Sequence, residues 1–123
     1  MSVSVPARGD VIRLDFNPQA GHEQAGHRPA LVVSPAEYNK RGMAIVCPIT
    51  NTVRGQPFEV AAPPGTGVTG VILSDQMKSV DWKNRGGQPF AKFDEETVNQ
   101  VVEKVLALID PEGVFCPIET DDE

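Results

Sequence analysis

Val11-Ile12-Arg13-Leu14-Asp15-Phe16 and Pro29-Ala30-Leu31-Val32-Val33 flank the stretch Gly21-His22-Glu23-Gln24-Ala25-Gly26-His27-Arg28, and together these three segments set the expected fold. In the first, Ile12, Leu14 and Phe16 alternate with Val11, Arg13 and Asp15, the periodicity of a half-buried strand. The second is almost wholly apolar and reads as a buried strand closed by Ser34-Pro35. Asn17-Pro18 ends the first strand, which leaves a connection of about twelve residues through Arg28. A loop of that length, rich in Gly and ionisable side chains between two strands, is where a rigid scaffold carries chemistry.

Outward from this core, Pro35 to Lys40 predicts one helical turn with Ser34 as N-cap and Pro35 at its first position, stopped by Gly42. Met43 to Thr50 is the strongest β signal, and its Pro48 is expected on an unpaired edge or at a bulge that would re-aim Ile49 and Thr50. Asn51 to Pro57 reads as a polar loop carrying Arg54, and Phe58 to Ala61 as a short strand. A Pro- and Gly-rich turn at Pro63 to Gly67 precedes two further short strands, Val71 to Leu73 and Ser79 to Trp82. From Asp94 the period changes. Val98, Val101, Val102, Val105, Leu106 and Ile109 fall on one helical face, with Asp94 as N-cap and Glu95 and Glu96 in the first turn. Pro111 and Gly113 stop that helix. The expectation is a mostly β, strongly bent barrel or sandwich with a short helical turn and one C-terminal amphipathic helix. Residues 1–110 form the domain and 111–123 an acidic tail.

A chain of 123 residues supports one modest core, to which a dimer interface would add stability. No apolar run approaches the roughly eighteen residues of a membrane span, and Met1 to Arg8 lacks the apolar stretch of a secretory signal, so the expected location is the cytoplasm. The net charge of −6 is unevenly spread: residues 1–93 hold ten Lys and Arg against seven Asp and Glu, while residues 94–123 hold one Lys against ten acids. A basic body can attract phosphate, and an acidic tail can repel it or mimic an acidic partner. Cys47 lies in an apolar run and Cys116 in the tail; the pair is too sparse for a disulfide framework or a zinc site, and Cys47 reads as a small buried hydrophobe.

In the polar loop, His22, Glu23, His27 and Arg28 can supply a base, an acid and a cation within a few residues. A guanidinium matches two phosphate oxygens and stays charged at any working pH, which singles out Arg28 as a clamp. Glu23 is the natural base and His27 has the intrinsic pKa of a proton shuttle, with His22 weaker. A metal site is disfavoured because the histidines come with no second cluster of carboxylates.

Gly9-Asp10-Val11, Glu23-Gln24-Ala25-Gly26-His27-Arg28-Pro29 and Asp75-Gln76-Met77-Lys78-Ser79-Val80, in this order and at these separations, closely resemble the MazF/PemK family of toxin endoribonucleases over roughly Gly9 to Ile109. The resemblance implies an SH3-like fold of the CcdB/PemK type and sequence-specific, metal-independent cleavage of single-stranded RNA. Attack by the 2′-hydroxyl would leave 2′,3′-cyclic phosphate and 5′-hydroxyl ends. It places the active-site arginine at Arg28, with a proton-transfer role that makes it the acid as well as the clamp, and the catalytic threonine at Thr50, with Thr52 as the neighbour that could replace it. It makes Asp75, Gln76, Lys78 and Ser79 a second substrate-binding stretch, in which Gln76 can read a base edge and Lys78 hold a phosphate. Arg54, Lys83 and Arg85 are candidate phosphate contacts by charge, and Trp82 a candidate for stacking on a base. At position 13 the family pattern leads to an aromatic or apolar side chain, and this chain has Arg13. The resemblance further implies a homodimer, a small acidic MazE-like antitoxin and no cofactor. The rival reading is a CcdB-like toxin that traps a DNA topoisomerase without cutting RNA, for which the Glu23 to Arg28 constellation has no use.

Overall fold

The computed structural model describes residues 4–15 and 27–115. In chain order these form β1 (Asp10–Asp15), β2 (His27–Val32), α1 (Ala36–Asn39), β3 (Ala44–Thr50), β4 (Glu59–Ala61), β5 (Val71–Leu73), a 3-10 turn at Ser74–Gln76, β6 (Lys78–Val80), β7 (Pro89–Lys92) and α2 (Glu95–Ile109). The strands make one antiparallel sheet in the order β4-β5-β3-β2-β1-β7, with β6 also paired to β3. The sheet is bent and open, with β4 and β7 at the ends of that order.

β3 is the hub. It pairs with β2 along Val46–Pro48, while its other edge pairs first with β6 at Ala44–Val46 and then with β5 at Ile49 and Thr50. Pro48 stands where the second edge changes partners, so its missing N–H removes no bond from either of those ladders.

Both faces of the sheet are packed. Val11, Leu31, Cys47 and Ile49 form one cluster with Phe93, Val98 and Val101, which brings α2 over that face. Ile12, Leu14, Ala30, Val32, Ala44 and Val46 form the other with Val80 and Trp82. The half-buried reading of β1 is therefore corrected: Val11 is as inaccessible as Ile12 and Leu14, because α2 covers the N-terminal half of the strand. Beyond that cover Arg13 is exposed, and its guanidinium lies 4.9 Å from the centre of the Phe90 ring.

Three other expectations change. Ser34 does not cap α1, whose N-cap is Pro35; its hydroxyl donates to Asn39 Oδ1 and accepts from the Ile45 N–H at 2.8 Å. Trp82 does not belong to a strand, and it is buried with its indole N–H donating to the Asn39 carbonyl at 2.8 Å. Its expected stacking on a base is withdrawn, since a ring 2% exposed has no face to offer. Finally, Pro89–Lys92 forms a strand where the sequence offers no strand signal. For α2 the expected start holds: Asp94 is its N-cap residue, and the Thr97 hydroxyl donates to the Asp94 carboxylate.

Candidate active site

The sequence separates Arg28 from Thr50 by more than twenty residues, and the sheet brings them to adjacent strands. The β2–β3 ladder pairs Val32 with Val46, Leu31 with Cys47 and Ala30 with Pro48. Two steps further along the same register, beyond the last paired residues, stand Arg28 and Thr50. Opposed residues of antiparallel strands point to the same side. Arg28 also opposes Leu14, and alternation gives it the face of Ala30, at the rim of the Trp82 cluster.

Thr50 is fixed in detail. It is 4% exposed, and it closes β3 opposite Val71. Its Oγ1 accepts from the Thr52 N–H at 3.1 Å, an arrangement that leaves the hydroxyl proton to be donated elsewhere. From the other side Gly70, at φ +101°, presses so closely that a Cβ there would lie 2.2 Å from the Thr50 carbonyl oxygen. The Thr69 hydroxyl adds a hydrogen bond to Asn51 Oδ1 at 2.8 Å. Gly70, Thr69 and Asn51 pack around the end of β3 beside Thr50 without having stood out in the sequence. Only the positive φ demanded of Gly70 could have flagged them, and a glycine among several in a turn-rich segment does not announce it.

The remaining expected residues fall into two groups. At the Arg28 end, His27 opens β2 on the exposed surface, its Nε2 4.0 Å from Asp15 Oδ2, and Arg85 Nη1 donates to the Asp15 carbonyl at 2.9 Å. His27 thus faces, across the β1–β2 ladder, the residue that holds the Arg85 guanidinium. The other group, Asp75, Gln76, Lys78 and Ser79, spans the 3-10 turn and β6, with Lys78 opposite Val46 and Ser79 opposite Ile45. Val46 is four residues before Thr50, so the two groups are spaced by about 13 Å along β3. Partial desolvation, and then the negative Glu59, raise the Asp75 carboxyl above its usual range, against the opposing pull of its own backbone N–H.

Glu59 organises the loop between them, accepting from the Arg54 and Gly55 N–H groups at 3.1–3.3 Å, which leaves the Arg54 side chain on an exposed loop. Lys83 is also exposed. Burial, and secondarily the Asp75 charge, push the Cys47 thiol up to about 12, so it is a core side chain with no thiolate at neutral pH. Glu23 and His22 lie outside the described residues, as does Cys116. Among the described residues no three His, Cys, Asp or Glu side chains are gathered as a metal site requires, and no helix is long and apolar enough to cross a membrane.

Residues 7–109 match the family described as PemK-like, MazF-like toxin of type II toxin-antitoxin systems. Over 106 residues the chain is 44% identical to the endoribonuclease toxin MazF of Escherichia coli K12, a match covering 85% of this chain and 95% of that protein. It is 35% identical over 108 residues to the E. coli endoribonuclease PemK, covering 83% of this chain and 80% of that one. Among solved structures, MazF from Deinococcus radiodurans superposes with a TM-score of 0.83 at 44% identity, over 86% of this chain and 97% of that one. A MazE-MazF crystal structure from the same organism gives a TM-score of 0.78, covering 86% of this chain and 96% of that one. The chain belongs to the PemK/MazF family of toxins of type II toxin-antitoxin systems.

Proposed function

We propose that this protein is a cytoplasmic endoribonuclease toxin that cuts single-stranded RNA at a short sequence without a metal ion or cofactor, acts as a homodimer and is restrained by a MazE-like antitoxin. The observation that supports this reading is the β2–β3 register, whose last pair, Ala30↔Pro48, lies two residues short of both Arg28 and Thr50 on adjacent strands. Family membership and the endoribonuclease names of the E. coli relatives supply the substrate class. The Deinococcus MazE-MazF complexes supply the partner.

In the proposed reaction the 2′-oxygen bonds to phosphorus as the bond to the 5′-oxygen breaks. A base takes the 2′-hydroxyl proton, and an acid returns a proton to the departing 5′-oxygen. Arg28 clamps two non-bridging oxygens, and the Thr50 hydroxyl donates to the charge building on one of them. The guanidinium holds its proton too tightly to exchange it readily, so its main part is electrostatic. Glu23 and His27 are the candidates for proton transfer. Lys78 and Gln76, farther along β3, would hold the neighbouring phosphate and read a base edge, with Asp75 and Ser79 beside them and Arg54 as an outlying contact.

The test is incubation of the purified chain with long single-stranded RNA in EDTA, beside Arg28→Ala, with fragment ends sequenced and their chemistry determined. Cuts at one repeated motif, ending in 5′-hydroxyl and absent in the variant, are expected. Intact RNA from the folded wild-type chain would overturn the reading and send the protein to a gyrase supercoiling assay, where the CcdB-like alternative predicts inhibition.

A further inference from the structure

β3 ends at Thr50, so the alternation of the strand no longer fixes the direction of the next side chain, Asn51. What fixes it is the turn before β5. A Cβ on Gly70 would lie 2.9 Å from Asn51 Oδ1, so the carboxamide uses space that the glycine leaves open. There it meets Thr69, whose hydroxyl donates to Asn51 Oδ1 at 2.8 Å.

That bond decides which way the amide faces. A carboxamide has an accepting end and a donating end, and with the oxygen committed to Thr69 the donating end is turned away from it. Asn51 and Thr69 are both exposed, and Asn51 Nδ2 donates to no acceptor among the described residues. An exposed asparagine ordinarily turns its amide freely in water, whereas this one is pinned on one side.

Its position gives the pinned amide a use. Asn51 directly follows Thr50, whose hydroxyl is assigned to the scissile phosphate, with the two Cα atoms about 3.8 Å apart. Single-stranded RNA turns out its bases, whose edges side chains then read. An uncharged N–H donor suits a base carbonyl, O6 of guanine or O4 of uracil, and is mismatched to the amino group that adenine and cytosine carry in the same place.

We propose that Asn51, oriented by Thr69, is a specificity-determining residue that selects a keto base, guanine or uracil, at one nucleotide flanking the scissile phosphate. The inference rests on the endoribonuclease reading of Arg28 and Thr50.

The test sequences the fragment ends that the wild-type chain, Asn51→Ala, Asn51→Asp and Thr69→Val produce from a random-sequence RNA library. The wild-type motif should hold G or U at a position flanking the cut. Asn51→Ala should lower the preference there by about tenfold and leave the other positions unchanged. In Asn51→Asp the side chain keeps its shape and its bond from Thr69, but its outward atom only accepts, so the same position should shift toward A or C. Any slowing by the added negative charge applies to every sequence and leaves the motif as it is. Thr69→Val lets the amide turn and should relax that position alone. These residues are exposed, so the variants should fold, and a merely structural part would alter Tm or rate with the motif intact. Cutting that depends on Arg28, with the motif unchanged in all three variants or with A or C preferred by the wild type, would overturn this assignment and leave the endoribonuclease reading in place. Intact RNA with the wild-type chain would overturn both.

Discussion

Replacing Gly70 with alanine should be far more damaging than the same change at Gly67, although both glycines have positive φ. At Gly67, φ +82°, an added Cβ meets nothing within 4 Å, so only the left-handed backbone is penalised. That costs about 1 kcal/mol. At Gly70 the Cβ would lie 2.2 Å from the Thr50 carbonyl oxygen and 2.9 Å from Asn51 Oδ1. Neither can easily retreat, because Thr50 pairs with Val71 in β5 and Asn51 Oδ1 is held by the Thr69 hydroxyl. Forcing the end of β3 aside adds about 2 kcal/mol, the ordinary cost of overpacking, for a total of about 3 kcal/mol. For a domain of this size each kcal/mol lowers Tm by about 3–5 °C. Gly70→Ala should thus melt about 10–15 °C below wild type and Gly67→Ala about 3–5 °C below, by calorimetry or circular dichroism. RNA cleavage at a temperature where both variants are folded should fall only in Gly70→Ala, since only there does Thr50 move. Equal losses of Tm in the two variants would refute the claim that Gly70 holds the end of β3 in place.

Other consequences are simpler to check. Thr50→Val keeps the shape but deletes the hydroxyl, and should lower kcat by about 100-fold while costing about 1 kcal/mol or less in a urea melt. Asn39→Ala removes a fully buried side chain whose Nδ2 donates to the Pro6 and Ser34 carbonyls at 2.8 and 2.9 Å. It should destabilise the fold by about 3 kcal/mol in the same assay, with catalysis unchanged per folded molecule. The Cys47 thiol holds its proton more tightly folded than unfolded, so its contribution to stability is complete below about pH 9 and is lost as pH rises toward about 12. Cys47→Ala should flatten the alkaline loss of stability relative to wild type, and Cys47 should resist alkylation in the native chain at neutral pH. The Thr97 hydroxyl, first among several hydrogen bonds, holds the Asp94 carboxyl below its usual range. Thr97→Val should raise that pKa in a carboxylate NMR titration.

The strands that were legible in the sequence are those with one clear periodicity. β2 and β3 are apolar runs bounded by Pro, Gly and Ser, and α2 shows a helical stripe behind an Asp N-cap. β7 was not legible because Pro89-Phe90-Ala91-Lys92 is short and begins with proline; it becomes a strand by pairing with β1. The doubly buried N-terminal half of β1 was likewise invisible, since alternation reports what one strand offers and says nothing of a helix arriving from the other end of the chain. Among the candidate site residues, Arg28 was singled out by its chemistry alone. Thr50 needed the family resemblance, because a threonine at a strand end is ordinary until the register sets it two steps beyond Ala30↔Pro48. Trp82 misled for the opposite reason. Its ring is a good stacking surface, but the Asn39 carbonyl and the apolar cluster around the ring claim it for the core.

That Arg28 and Thr50 act together on one phosphoryl group is tested most directly by a double-mutant cycle on kcat/KM for a short RNA. Arg28→Ala, Thr50→Val and the double variant would be compared at matched folded concentration. Groups serving the same transition-state charge are strongly non-additive, so the double variant should lose little more than the worse single variant. Losses that multiply as for independent sites, or a Thr50→Val enzyme as active as wild type, would contradict that shared role.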